Sequence, residues 1–71
     1  MEFPHELKEL FPNEIIEVRG NAEDLTVILT GETSVKNFAE VLKKRFKDLN
    51  DTYTLYLRNE NQEGFLEVIL E

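Results

Sequence analysis

The chain has 71 residues, no cysteine, and fifteen acidic against eight basic residues, for a net charge of −7. A single domain of this size buries only about 60% of its unfolded surface, and without cysteine neither a disulfide nor a thiolate zinc site can supplement the core. Averaged over the surface the acidity works against nucleic acid and anionic lipid, no apolar stretch approaches the ~20 residues of a membrane span, and acid stands where a signal peptide needs a basic start. A cytoplasmic, reducing location is expected.

Apolar residues, 41% of the chain, recur with clear periods, which separates it from a disordered acidic segment. Phe3, Leu7, Leu10 and Phe11 stand at helical spacing, Pro4 suits a first turn and Pro12 ends it, so residues 3–11 are read as a short helix. Two turns are not stable alone, and the stripe must dock on the domain or on a partner. Residues 1–12 are thus an N-terminal helical segment, and 13–71 form the rest of the one domain.

Residues 15–19 and 25–30 are rich in β-branched side chains and flank a turn-rich stretch, 20–24, which predicts a hairpin. Alternation assigns Leu25, Val27 and Leu29, with Ile16 and Val18, to the core face. It assigns Ile15, Glu17 and Arg19, with Thr26, Ile28 and Thr30, to the other.

Thr33 or Ser34 can cap a helix over residues 33–49, in which Val35, Phe38, Ala39, Leu42, Phe46 and Leu49 form a core stripe. Lys36, Glu40, Lys43, Lys44 and Lys47 take the other side, Val41 lies off the stripe, and Asn50 is the expected left-handed cap. Five bases and two acids make this segment positive within an acidic protein. Bases near its C-terminal end also suit the negative pole of the helix dipole.

Residues 53–58 and 65–70 alternate on either side of a loop, 59–64, and predict a second hairpin. Tyr53, Leu55, Leu57, Leu66, Val68 and Leu70 would lie under the helix; Tyr56, Phe65 and Ile69 would face away. The element order is a short helix followed by ββαββ, an α+β domain with one amphipathic helix on one face of a four-stranded sheet. In residues 13–71 this order resembles the β-grasp arrangement of ubiquitin-like proteins and bacterial immunoglobulin-binding domains, which implies a mixed sheet. The likeness does not imply carrier chemistry, since Leu70-Glu71 stand where a carrier has a glycine pair. An all-antiparallel sheet is the competing topology.

Residues suited to catalysis are sparse. His5 is the sole histidine and reads as a solvated terminal residue, Ser34 reads as a helix cap, and the adjacent pair Glu23-Asp24 falls in a hairpin loop. Residues 59–64 imitate the opening of a calcium loop, but Leu70 occupies the position of the bidentate glutamate, so a hairpin loop is expected. Asn50-Asp51-Thr52 matches a glycosylation acceptor that has no use without secretion. No enzyme activity, cofactor or metal is expected.

Two surfaces could bind a partner. One is the basic helix rim, Lys43, Lys44, Arg45 and Lys47, whose simpler role is to balance charge. The other is the far sheet face, with Ile15, Ile28, Tyr56, Phe65 and Ile69 among Glu17, Thr26, Thr30, Arg58 and Glu67. Either the N-terminal helix closes that face, or it extends the main core and leaves the face open. The expected function is a non-enzymatic interaction or regulatory module that binds a protein partner, or a second copy, through the sheet face or a sheet edge. The alternative is an inhibitor that mimics nucleic acid with rows of carboxylates; neither reading involves a membrane or direct nucleic acid binding.

Overall fold

The computed structural model describes residues 3–20 and 23–71, with side chains from Glu6 onward. Asn21 and Ala22 of the first hairpin loop lie outside the described residues, as do the side chains of Phe3, Pro4 and His5 and the roles expected of them. The elements are α1 (Phe3–Leu10), β1 (Ile15–Gly20), β2 (Asp24–Leu29), α2 (Val35–Arg45), β3 (Tyr53–Asn59) and β4 (Leu66–Leu70).

The sheet order is β1-β2-β3-β4. β1 with β2 and β3 with β4 are antiparallel hairpins, whereas β2 and β3 run parallel, Leu25 opposite Leu55 and Val27 opposite Leu57. A parallel pair needs a crossover of a dozen or more residues, and the segment containing α2 supplies it. The all-antiparallel alternative is therefore overturned. The first and last strands form the two edges of this mixed sheet and do not meet.

One face of the sheet carries the whole core. Leu25, Val27 and Leu29 of β2 and Leu55 and Leu57 of β3 are buried, together with Val68 and Leu70 of β4 and Phe38, Ala39 and Leu42 of α2. Leu7 of α1 joins this same cluster with no exposed surface, and Phe11 packs beside it. Both helices thus cover one face, α1 along β1 and α2 along β3 and β4.

Two expectations are corrected. Register shifts between Ile15, opposite Leu29, and Glu17, opposite Ile28, so Ile16 is an extra bulged residue. The bulge resets the alternation: Ile15 enters the core, 3% exposed, and Ile16 leaves it, 41% exposed. The second concerns α2, which spans Val35–Arg45 rather than 33–49. Ser34 caps it, its Oγ accepting from the Asn37 amide at 3.3 Å, while the Thr33 hydroxyl is engaged with that of Thr30 at 2.6 Å. The chain leaves the helix at Phe46, and Asp48 (φ 54), not Asn50, takes the left-handed conformation. Phe46 and Leu49 still pack on the core from outside the helix.

Candidate functional site

With both helices on one side, the far face is a surface of paired strands. Register places its residues in rows. Arg19, Thr26, Tyr56 and Glu67 cross all four strands; Glu17, Ile28 and Arg58 form a second row; Asp24, Thr54 and Ile69 form a third. Antiparallel and parallel partners at matched positions share a face, so these rows are the outward side of the sheet.

Of the residues singled out for this face, Ile28 and Tyr56 lie on it half-buried, near its middle. Ile69 and Phe65 are 51% and 55% exposed at the β4 side. Ile15 is not on it, for the reason given by the bulge, and Ile16 is the apolar side chain exposed from β1 instead. Thr30 follows β2 and turns its hydroxyl to Thr33.

The charges on this face nearly cancel. Glu17 and the Arg19 guanidinium form an ion pair, exposed enough to contribute little to stability. Arg58 donates from Nε to the Gln62 carbonyl at 3.0 Å, which ties it to the hairpin loop. Against these two bases stand Glu17, Asp24 and Glu67, so an acidic protein has kept one face close to neutral.

The basic rim is divided by the helix. Lys43, Lys44, Arg45 and Lys47 are all exposed. Lys43 and Lys47 line an open groove of about 300 Å³ beside Ile69 and Leu70, at one end of β4. At the other end Lys36 lines a groove of about 500 Å³ beside Leu66. At 3.6 residues per turn Lys44 is turned away from the sheet and Arg45 toward the α1 side, so the four bases do not form one patch. Lys36, absent from the rim read in the sequence, shares a side with Lys43, and its seven-residue separation could have shown this.

The sequence pattern starts a loop at Asn59. It ends β3 and is buried, 5% exposed. Its Nδ2 lies 3.0, 3.1 and 2.9 Å from the carbonyl oxygens of Thr30, Gly31 and Thr33, two hydrogens shared among three acceptors, and its Oδ1 accepts from the Asn61 amide at 2.8 Å. Glu60 adds an acceptor for the Gly31 amide at 2.7 Å. Both side-chain polar atoms of Asn59 are thus engaged in tying the β2–α2 connection to the β3–β4 loop. Among the described residues no group of three or more His, Cys, Asp or Glu could hold a metal ion, and no helix is long and apolar enough to cross a membrane.

No protein-family model matches the chain, and comparison with curated proteins and with solved structures finds none that matches it.

Proposed function

We propose that the protein is a non-enzymatic interaction module that binds a protein partner through the open face of its sheet. The observation that supports this reading is the placement of both helices on the same side, which leaves half-buried Ile28 and Tyr56 and exposed Ile69 uncovered on the other. An apolar strip of this kind on a small domain marks a contact surface. Its near-neutral charge suits desolvation on binding, while the chain's net charge of −7, nearly all of it outside this face, selects an apolar patch ringed by basic residues and speeds the encounter. A cytoplasmic setting belongs to the same reading, supported by a sequence without cysteine. The β-grasp likeness enters only as an analogy of layers, a helix over a mixed sheet.

Capture of partners from native extract with the wild-type protein and with Tyr56→Glu tests the reading. Tyr56 lies between Thr26 and Glu67 at the centre of the face, so a carboxylate there leaves the core untouched and should abolish capture. The wild-type complex should persist between about 50 and 200 mM salt, because apolar burial is insensitive to screening. Equal capture by both proteins rejects the face. A complex lost steeply over that range replaces it with charge mimicry of nucleic acid.

A further inference from the structure

The open face of the sheet is complementary to itself. From β1 to β4 its middle row is Arg19, Thr26, Tyr56 and Glu67, with a base at one end and an acid at the other. A two-fold axis that runs along the strands, midway between β2 and β3, lays β1 of each copy over β4 of the other and β2 over β3, and leaves every row at its own height. Arg19 then faces Glu67 at both ends of the middle row, and Thr26 faces Tyr56 twice near its centre, a small side chain against a large one. In the flanking rows Ile28 meets the aliphatic stem of Arg58, and Asp24 meets Thr54. No like charges oppose one another.

We infer that a second copy of this chain occupies the open face through that two-fold, the two sheets packed face to face about 10 Å apart. The inference rests on the reading of this face as a protein-binding surface, and names an occupant for it. A two-fold running across the strands covers all three rows only when it lies on the middle one, where it stacks Arg19 on Arg19 and Glu67 on Glu67. Moving it off that row uncovers contacts, so charge and area together select the axis along the strands.

Both charged ends are accessible. The Arg19 side chain is 71% exposed, and a guanidinium carries five donors, so its pair with Glu17 through Nε leaves others for a second carboxylate. Glu67 is exposed and, among the described residues, is in no ion pair. Four strands about 4.8 Å apart and three rows about 6.6 Å apart bury on the order of 1,000 Å² in total, the low end for a specific interface, so the dimer is weak and reversible. The charge of −7 on each copy also opposes the encounter at long range. A partner with a basic rim meets no such repulsion and displaces the second copy, so that self-pairing covers the face only until that partner arrives.

Sedimentation equilibrium of the full chain from about 5 to about 500 µM, at about 150 mM salt where the screening length is about 8 Å, tests the pairing. Circular dichroism establishes that each variant is folded. A monomer–dimer equilibrium is expected, and Tyr56→Glu should abolish it. Arg19→Glu and Glu67→Arg should each weaken self-association about three- to tenfold, because each sets like charges together at both ends of the row. An equimolar mixture of the two variants should dimerise more strongly than either alone, since the mixed pair again opposes acid to base at both ends, which a merely structural role for either residue does not produce. A monomer throughout the range overturns the inference, and so does a dimer that survives Tyr56→Glu, ignores the single exchanges or gains nothing on mixing. A monomer whose capture of partners from extract is still lost with Tyr56→Glu rejects the second copy and keeps the open face as a binding surface; equal capture rejects that surface as well. If Arg19→Glu does not fold, Glu67→Arg and Tyr56→Glu decide.

Discussion

The rings of Phe11 and Phe38 meet edge to face, centroids 5.0 Å apart and planes at 78°. Phe11 follows α1 and Phe38 is a buried residue of α2, so the contact holds both helices in one layer, and the opposite sheet face is left without a cover. Replacing Phe38 by Ala should cost about 3 to 5 kcal/mol and comes close to unfolding a domain of this size. Phe11→Ala, at a half-buried ring, should cost less, and the double variant should show a coupling of about 0.5 to 1.5 kcal/mol in urea denaturation. Strictly additive losses would show that the rings do not support one another.

Asn59 is expected to be the most sensitive polar residue. Asn59→Ala removes the donor to the carbonyls of Gly31 and Thr33 and the acceptor for the Asn61 amide, while the Thr30 carbonyl keeps the Thr33 amide, at a cost of about 2 to 4 kcal/mol. Asn59→Asp keeps the acceptor for Asn61 but turns a negative oxygen on three carbonyls, and should be at least as damaging at neutral pH. Thermal melting of both variants measures this; a change below about 0.5 kcal/mol in either would remove the clamp from the account.

Gly20 and Gly64 both have positive φ, 119° and 87°, and should respond differently to a methyl group. At Gly20 a Cβ meets the Asp24 carbonyl oxygen where β1 turns into β2, whereas at Gly64 it meets open space. Gly64→Ala should cost only the backbone strain, about 1 to 2 kcal/mol, and Gly20→Ala distinctly more. Equal losses in chemical denaturation would mean that the first hairpin relaxes around the added carbon.

The Ser34 cap gives a prediction of either sign. Ser34→Ala removes the acceptor for the Asn37 amide and should cost about 1 kcal/mol. Ser34→Asp keeps an acceptor and adds negative charge at a helix start whose first turn holds no acid, so stability should hold or rise by about 0.3 to 1 kcal/mol at low salt. An aspartate variant as weak as the alanine one would show that Ser34 does not cap α2.

What the sequence determined by itself was the apolar side of β2, β3 and α2. Leu25, Val27 and Leu29 alternate, as do Leu55 and Leu57, and Phe38, Ala39 and Leu42 recur at helical spacing; these patterns are set by backbone geometry within a few residues, and each proved to be core. Which partner an element meets is a different matter, because it depends on contacts between residues far apart in the chain. The bulge at Ile16 exists only relative to Leu29 and Ile28, and it exchanged Ile15 for Ile16 on the outer face. The parallel pairing of β2 and β3, the burial of Asn59 against the β2–α2 connection, and the docking of Leu7 and Phe11 beside Phe38 were likewise decided in three dimensions. The stripe in residues 3–11 required a surface to bury on, and it was the tertiary structure that chose the main core and left the other face of the sheet open.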